Sequence, residues 1–441
     1  MSLDLLQSLN GKPCACGKTH THTVSKILVG AGVVTQLPGV LAGYNAKKVY
    51  LLSDKTTHRV AGERVQVLLQ EAGLTVVSCV LDSESPAPNE HSVGYATMFY
   101  DHACEAVVAV GSGVVNDIGK IVAAMANKPY IIVGTAPSMD GYASPTSSMT
   151  RANLKISLNS KTADVIIGDT DILCTAPTRM LISGLGDMIA KYVSICEWRI
   201  AHIISGEYYC EEIANLVRVA LKRCVDNAEG LLRRDVQAVQ DVFEGLVITG
   251  IAMAYAGVSR PASGVEHYLS HVWDMREIEF GTAADFHGIQ CAIGTLIAAR
   301  CYEKLREITP DKQKALAYAA AFDGDMWNAA LREFLGKSAE SMIALEKKEG
   351  KYDKKKHAAR LDVILERWED ILQVMKEELP SAAWIEALLD QLGAPKSPAE
   401  IGIDPAILPM TFKSAKDIRD KYVLPRLAWD LGVLDEIADT L

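Results

Sequence analysis

The sequence predicts an α/β N-terminal domain built on a parallel sheet, followed by an all-α C-terminal domain. In the first 170 residues, short apolar runs alternate with segments of helical periodicity. This alternation is typical of parallel strands whose two faces are covered by helices. From about residue 175 onward, long segments with a 3.6-residue period follow one another, and none has the character of a strand. We therefore divide the chain into residues 1–172 and 173–441, at a polar segment that ends in Pro177.

The individual elements follow from the same periodicities. Six strands are predicted, because each run is short, apolar and bounded by polar residues or glycine. They lie at residues 24–29, 48–53, 75–80, 105–110, 130–134 and 164–168. Helices are predicted at 57–72, 114–126, 178–201, 207–228, 236–257 and 285–306. The charged stretch 346–357 is expected to be a solvated loop or helix end.

Composition narrows the class of protein. The 441 residues are 49% hydrophobic and 23% charged, which is ordinary for a globular chain. A net charge of -10 argues against a surface for nucleic acid or anionic membrane. No secretory leader is apparent, nor any run of the ~18 apolar residues that a membrane span needs. Ten scattered cysteines fit reduced thiols of a cytoplasmic protein, and a homo-oligomer is the expectation for a chain of this size.

A glycine-containing turn follows the fourth predicted strand and opens a helix. Glycines at this point let the backbone approach a pyrophosphate, and the helix N-terminus presents amide N–H groups to it. The turn consists of Gly111, Ser112, Gly113, Val114, Val115, Asn116 and Asp117. It is not the complete dinucleotide fingerprint, because Asn116 occupies the third glycine position and the turn does not follow the first strand. A tight strand-to-helix turn without a ligand is the alternative.

A second polar loop follows the strand at 130–134. Ligands of open α/β sheets bind beyond the carboxyl ends of the strands, where both loops are expected. The second loop offers the hydroxyls of Thr135, Ser138 and Ser144 and the carboxylate of Asp140. These residue types also form turns, but the loop contains more of them than a turn requires.

Asp54, at the end of the second predicted strand, has two interpretations. An acid at this position often accepts the hydrogen bonds of a cofactor ribose. Alternatively it caps a helix, since Thr56 and Thr57 follow at a helix start. Both interpretations stay open, and with them the choice between NAD and NADP.

Three segments of the helical part combine titratable side chains with apolar surroundings. Asp187 lies in an apolar run, and a buried carboxylate needs a partner or a metal. His267 and His271 are four residues apart and so share one face of a helix, while His287 begins another apolar segment. Any one histidine is better explained as structural. The whole set indicates a divalent metal, and three protein ligands with an open position is the pattern of catalytic zinc.

Taken in order, these motifs resemble the glycerol-1-phosphate dehydrogenases, which belong to the dehydroquinate-synthase-like, iron-containing alcohol dehydrogenase superfamily. The resemblance runs from about residue 24 to residue 300, and residues 418–431 resemble the bacterial branch. The ordered set is specific, whereas any single motif is not. The set comprises Gly111-Ser-Gly113 with Asp117 and Lys120, Thr135-Ala-Pro-Ser138-Met-Asp140-Gly141, Gly184-Leu-Gly186-Asp187, Ser263-Gly-Val-Glu266-His267 with Ser270-His271, and His287.

The resemblance implies an enzyme that reduces dihydroxyacetone phosphate reversibly to glycerol 1-phosphate. It implies a Rossmann-like NAD(P)-binding domain and a metal and substrate domain. Asp187, His267 and His287 would hold the metal; zinc is expected, with nickel and iron as alternatives. Asp140, Asp187 and His271 would contact the substrate, with Asp187 and His271 catalytic and His271 relaying a proton. The cofactor would be lined by Gly111, Gly113, Val114, Val115, Asn116, Asp117, Thr135, Ala136, Pro137, Ser138, Ser144 and Asp54.

Other activities of the same superfamily stay open. A dehydrogenase of glycerol or another non-phosphorylated alcohol would keep the cofactor and metal sites. A dehydroquinate-synthase-type lyase would by resemblance carry glutamate at the position of Asp187. A non-catalytic nucleotide-binding protein is the third alternative, and the intact Asp/His/His set argues against it. Ser112 departs from the glycine of many relatives; we expect it to be tolerated, although it could narrow the approach to the pyrophosphate.

The N-terminus carries two cysteines and two histidines close together in sequence. Cys14, Cys16, His20 and His22 form the pattern C-x-C-x₃-H-x-H, which is not a standard structural zinc spacing. Either these residues bind zinc, or they belong to an N-terminal arm that docks on the rest of the protein.

Overall fold

The computed structural model describes Leu6 and residues 9–441. Contacts divide the chain into two compact units that alternate along the sequence. The first contains the described residues up to Met188 together with Asn215–Val258, and the second contains Ile189–Ala214 and Ser259–Leu441. The two units therefore interleave along the chain, and the division into residues 1–172 and 173–441 stays a prediction.

The first unit is built on a six-stranded parallel sheet, as predicted. The described residues of the unit form, in chain order, the strands β1 Lys26–Gly30, β2 Lys48–Asp54, β3 Thr75–Leu81, β4 Ala106–Gly111, β5 Tyr130–Gly134, β6 Thr146–Arg151, β7 Leu154–Asn159 and β8 Val165–Asp169. The sheet has the order β1-β8-β5-β4-β2-β3, with every neighbouring pair parallel. Every residue of β4 and β5 is buried, which explains why these strands are apolar throughout rather than alternating.

The remaining two strands, β6 and β7, form an antiparallel hairpin that the sequence analysis did not predict. Ala152 and Asn153 connect them, with φ angles of 51° and 59°. A two-residue turn with both φ values positive matches the twist of the flanking strands. The strands were not predicted because eight of their twelve residues are polar or charged, most of them serine and threonine.

Helices surround the sheet within this unit. The predicted helix 57–72 is present in three consecutive pieces, Lys55–Thr57, the π-helical His58–Gly62 and Glu63–Glu71. The predicted helix 114–126 is observed as Gly113–Ala126. The other helices of the unit are Leu37–Gly43, Glu90–Met98, Thr170–Leu173, Thr178–Ile189, which ends at the first residue of the second unit, and Val236–Ala256.

The sequence analysis expected no stretch with the length and hydropathy of a membrane span, but the helix Val236–Ala256 reaches both. Among the described residues, this one helix is long and apolar enough to cross a membrane, with a mean hydropathy of 1.2. However, 78% of that stretch is buried within the protein. Length and composition alone are weak evidence, because the core helix of a globular unit passes the same test.

The second unit is helical throughout, and residues 176–441 contain no strand, as predicted. The predicted segment 178–201 is two helices that part at Ala190, and the stretch 346–357 spans the end of one helix and the start of the next. The helices that lie in or enter this unit are Lys191–Ser205, Glu211–Asp226, Val265–Phe280, His287–Arg306, Lys312–Ala321, Gly324–Leu335, Ser338–Glu349, Lys354–Glu366, Trp368–Glu378, Ala382–Gln391, Leu408–Ala415, Leu424–Asp430 and Leu434–Ala438.

Candidate functional site

The polar loops of the first unit leave the sheet where its strand order reverses. From β2 the chain goes outward to β3, whereas β4 pairs on the other side of β2. Such a switch point opens a crevice at the carboxyl ends of the strands, where open α/β sheets bind ligands. Gly111 and Gly134, the last residues of β4 and β5, are register partners. The two predicted loops therefore start side by side at this crevice.

The glycine turn after β4 has the features of a phosphate cradle. The helix Gly113–Ala126 begins here, and Ser112 makes no side-chain capping hydrogen bond to its first turn. A β-carbon on Gly111 would lie 2.5 Å from Val115 Cβ, so Gly111 is required for packing. A β-carbon on Gly113 would meet only Met139, at 3.5 Å. The turn thus fits a pyrophosphate at the helix N-terminus, with Gly113 keeping the approach open.

The side chains of Asn116 and Asp117 anchor neighbouring segments. Asn116 donates from Nδ2 to the Gly141 carbonyl at 3.0 Å and accepts from the Tyr130 hydroxyl at 3.0 Å. Asp117 pairs with Lys120 at 2.8 Å and accepts from the Ser148 amide at 3.1 Å. Burial raises the pKa of Asp117, against the opposing effect of Lys120. Their side chains thus hold the loop, and their contacts with a cofactor stay a prediction.

The second loop is fastened to the helix that carries Asp187. The Ser183 hydroxyl donates to the Ser138 carbonyl at 3.0 Å. A β-carbon on Gly184 would lie 1.8 Å from the Pro137 carbonyl oxygen, so only glycine allows this approach. Asp187 is fully buried and accepts a hydrogen bond from the Asp140 amide at 2.9 Å. The predicted residues Asp140 and Asp187 are therefore brought together.

Other predicted cofactor residues of these loops have internal partners. The Thr135 amide donates to the Gly111 carbonyl at 3.0 Å, and Ala136 is buried. The Ser144 hydroxyl lies 3.1 Å from the Thr146 hydroxyl. These contacts stabilise the conformation of the loop between β5 and β6. That the loop binds a cofactor stays a prediction.

Asp54 adopts the helix-capping role that the sequence left open. Its carboxylate accepts from the Thr57 amide at 2.7 Å, and the Thr57 hydroxyl accepts from the Asp54 amide at 3.0 Å. This reciprocal pair is a capping box on the short helix Lys55–Thr57. Capping accounts for the residue, and ribose binding stays a prediction.

Two helices of the second unit bring His267 and His287 together. His267 lies in Val265–Phe280, and His287 is the first residue of His287–Arg306. Their ring centroids are 4.9 Å apart. A β-carbon on Gly294 would lie 2.7 Å from the Glu266 carbonyl oxygen, so this glycine allows the two helices to approach closely at the histidines.

Both imidazoles are oriented through Nδ1. Glu266 Oε1 lies 2.8 Å from His267 Nδ1, and Ser270 Oγ lies 3.1 Å from His287 Nδ1. Gln290 donates to Ser270 Oγ at 3.1 Å and to Asp274 at 2.7 Å. The Glu266 carboxylate only accepts, so it favours the His267 tautomer that leaves Nε2 for a metal, as in most histidine ligands, while the Ser270 hydroxyl holds the His287 ring at Nδ1.

Cys291 joins this cluster, which the sequence analysis did not anticipate. Its Sγ lies 3.5 Å from His287 Nε2. One donor atom from each of His267, His287 and Cys291 lies within 4.8 Å of the others. The spacing of four from His287 was a usable signal, because residues four apart share a helical face. Two imidazoles and a thiol so close together fit a divalent transition metal.

His271 lies next to this cluster on the predicted helical face. Its ring is nearly parallel to that of His287, with the centroids 6.0 Å apart and an interplanar angle of 22°. Its side chain is only partly buried, whereas His267 is buried. This position suits a group that meets a bound substrate.

Comparison with known proteins identifies the family of the chain. Residues 28–177 match the model of a family described as iron-containing alcohol dehydrogenase. A glycerol-1-phosphate dehydrogenase [NAD(P)+] of Halalkalibacterium halodurans is 30% identical over 294 residues, which cover 66% of this chain and 74% of the relative. The chain belongs to the glycerol-1-phosphate dehydrogenase family.

Further members of the family extend the similarity. The glycerol-1-phosphate dehydrogenase [NAD(P)+] of Hyperthermus butylicus is 36% identical over 279 residues, covering 62% of this chain and 76% of the relative. That of Geobacillus thermodenitrificans is 27% identical over 421 residues and covers 95% of both chains. The similarity to the glycerol-1-phosphate dehydrogenase family therefore reaches beyond the first 300 residues.

Solved structures support the fold. A maleylacetate reductase from Agrobacterium tumefaciens superimposes with a TM-score of 0.63 at 15% identity, covering 97% of this chain and 98% of the other. A glycerol dehydrogenase from Schizosaccharomyces pombe gives 0.59 at 16% identity, covering 95% and 90%. At these identities the likeness establishes the fold of this glycerol-1-phosphate dehydrogenase family member and nothing finer.

Proposed function

We propose that this chain catalyses the reversible, NAD(P)-dependent reduction of dihydroxyacetone phosphate to glycerol 1-phosphate, in the cytoplasm. The observation that carries the proposal is the paired, oriented imidazoles of His267 and His287 in a chain of the glycerol-1-phosphate dehydrogenase family. The glycine turn at the switch point of the sheet supports NAD(P) as the cofactor.

Asp187 is proposed as the third metal ligand, beside His267 and His287. A carboxylate buried as completely as that of Asp187 is costly unless a cation or several hydrogen bonds compensate it. One carboxylate and two imidazoles leave open positions for a substrate, which is why we propose zinc. Cys291 lies close enough to His287 to bear on the choice of metal, since a thiol favours softer ions.

The residues of this chain have distinct parts in the reaction. A divalent metal held here would act as a Lewis acid toward a carbonyl oxygen, while a bound nicotinamide would carry the hydride. Glu266 and Ser270 keep the two ligand imidazoles in place through Nδ1. His271 would deliver a proton to the substrate oxygen during reduction and remove it in the reverse direction. The Asp140 amide would position Asp187, to whose carboxylate it donates.

Substrate competition in the presence of metal tests the function. Purified chain loaded with zinc, and in parallel with nickel, is incubated with NADH or NADPH and dihydroxyacetone phosphate. Oxidation of the nicotinamide is expected with this substrate and not with dihydroxyacetone, and the product is expected to be glycerol 1-phosphate. Preference for dihydroxyacetone would instead indicate a dehydrogenase of non-phosphorylated polyols.

Variants of the ligands connect the activity to the site. Asp187→Asn, His267→Ala and His287→Ala should each lose bound metal and nearly all turnover, because each removes one of few ligands. Elemental analysis of the folded variants, checked by circular dichroism, measures the metal. A variant with full metal content and ordinary activity would exclude that residue from the site.

A further inference from the structure

The N-terminal arm, residues 10–24, contains a tight turn that gathers three metal-ligating side chains. The Cys14 amide donates to the Lys18 carbonyl at 2.9 Å, and the Gly17 amide donates to the Cys14 carbonyl at 2.9 Å. Gly17 has a φ of 83°, a left-handed conformation that favours glycine and closes the turn. The turn places one donor atom of each of Cys14, Cys16 and His20 within 4.8 Å of the others.

The imidazole of His20 is held in the orientation of a ligand. His20 is buried, and its Nδ1 lies 3.2 Å from the Tyr255 carbonyl oxygen. A carbonyl only accepts, so Nδ1 carries the proton and Nε2 presents its lone pair. It is Nε2 that lies 3.3 Å from Cys16 Sγ. A backbone carbonyl on one ring nitrogen and a metal on the other is the usual arrangement of a histidine ligand.

The arm is also docked on the first unit, at the end of the helix Val236–Ala256. Besides accepting from His20, Tyr255 donates its hydroxyl to the Leu6 carbonyl at 2.9 Å, and its ring lies 5.5 Å from that of His22. His22 is absent from the group of converging donors. The two explanations that the sequence left open, docking and metal binding, are therefore compatible on this geometry.

We propose that Cys14, Cys16 and His20 bind a zinc ion that fixes the N-terminal arm, at a site separate from the His267 and His287 pair. With Zn–S of about 2.3 Å and Zn–N of about 2.0–2.1 Å, tetrahedral ligand atoms lie under about 4 Å apart, within the spread observed. Two thiolates neutralise the ion, and thiolate with imidazole selects zinc over harder cations.

Exposure distinguishes these thiols from most of the others. Cys14 and Cys16 are partly exposed, as is Cys174, whereas the other seven cysteines are buried. An ion can therefore reach the turn without opening the core. Three ligands from the arm leave one coordination position for a fourth donor. We assign this site to holding the arm, because the reaction described above is assigned to the His267 and His287 pair.

Metal counting on the full chain tests the proposal. The parent is expected to hold two metal ions per chain after desalting. Cys16→Ser and His267→Ala should each hold one, and the double variant should hold none. Cys174→Ser is the matched control, because it removes a partly exposed thiol outside the arm and should keep both ions. Retention of the parent metal content by Cys16→Ser would overturn the proposal.

Two further measurements, cobalt absorption and tryptic cleavage, detect metal at the arm without relying on enzyme activity. In the His267→Ala background, cobalt should produce thiolate charge-transfer absorption that disappears with Cys16→Ser. In the otherwise unchanged chain, Cys16→Ser should speed tryptic cleavage after Lys18, which is exposed, while Cys174→Ser should not. Equal cleavage rates in the two variants would show that no metal holds the arm.

Discussion

Each imidazole of the His267 and His287 pair depends on a polar neighbour for its orientation. Glu266 immediately precedes His267 and reaches its Nδ1, while Ser270 reaches His287 from the other helix. The Glu266 carboxylate accepts from Nδ1 and so leaves Nε2 of His267 available to a metal, while Ser270 holds the His287 ring in place. His271 is partly exposed, unlike the buried His267, and its ring is nearly parallel to that of His287. His267 and His271, one turn apart on the same helix, are therefore expected to have different roles in the reaction.

Replacing His271 tests this division. His271→Asn should keep metal content and cofactor affinity near those of the parent, because neither depends on this imidazole. If His271 relays the proton, kcat should fall by roughly 10²–10⁴-fold, the usual contribution of a positioned acid or base. One limb of the pH–rate profile should vanish as well. Steady-state kinetics across pH, with elemental analysis and NADH titration, measure these effects.

Two results would contradict the relay. A variant that loses thermal stability but keeps its specific activity would make His271 a packing residue. Loss of metal comparable to that of His267→Ala would make it a ligand instead. The same measurements on Cys291→Ser provide the comparison for a neighbour of His287 that has no proposed proton role.

The sequence predicted the histidines of the candidate site but not the hydrogen bonds that orient them. The spacing of His267 and His271 and the position of His287 at a helix start were predictable from periodicity. Glu266, Ser270 and Gln290 were not identified as orienting groups, because periodicity gives a helical face without saying which atoms meet across helices. Asp54 shows the opposite case, in which local spacing alone indicated the cap that is observed.

At the scale of elements, glycines decide how closely the loops and helices pack. Gly111 and Gly184 have no room for a β-carbon, since Val115 and Pro137 lie too close. Gly113 has room, because its nearest neighbour is the flexible Met139 at 3.5 Å. The glycine motifs thus contain two positions where packing requires glycine and one, Gly113, whose small size we propose to serve the cofactor.

Gly113→Val should therefore weaken cofactor binding while the protein stays folded. The branched side chain would lie where backbone amides approach the pyrophosphate, and a loss of about tenfold or more is expected, or about 1.4 kcal/mol. Calorimetric titration with NADH and NADPH measures the affinity. Gly94→Val is the matched control, because Gly94 lies in another helix of the same unit with nothing within 4 Å of its β-carbon. Equal affinities in the parent and Gly113→Val would make the loop a turn only.

Strands rich in apolar residues were predicted from the sequence, whereas strands rich in polar residues were not. All six strands of the parallel sheet were found to within two residues, since buried strands are continuous apolar runs. The hairpin Thr146–Arg151 and Leu154–Asn159 was missed because its partly exposed faces are polar. The break at Ala190 was also missed, because the apolar pattern continues across it.

At the scale of the whole molecule, sequence alone cannot reveal which helices belong to which unit. Residues 215–258 return to the first unit, although their periodicity resembles that of the helices around them. The sequence of a helix shows which of its faces is apolar, but it does not show which other element packs against that face. The class of each part was therefore predictable, and the interleaving of the units was not.

Stability is a property of the whole molecule that depends on its buried charges. Lys416 is fully buried beside Asp417 and over the Trp327 ring, with Nζ 3.3 Å from the ring centroid. Burial lowers the pKa of Lys416 to about 7, although Asp417 acts in the opposite direction. In an unfolded chain a lysine titrates near about 10.4. Between these values the unfolded chain binds a proton that the folded protein has released.

Stability should therefore rise with pH across this window, by at most about 1.4 kcal/mol per pH unit from this group. Below about pH 7 both states hold the proton and Lys416 contributes no pH dependence. Lys416→Met removes the titrating group. The free energy of unfolding of the parent should therefore rise relative to that of the variant as pH rises from about 7 to 10. Urea midpoints at several pH values measure the difference. Lys347→Met, at an exposed position on a helix, is the control and should follow the parent. Parallel pH profiles for the parent and Lys416→Met would show that Lys416 stays charged in the folded protein, its ammonium compensated by Asp417 and the indole ring.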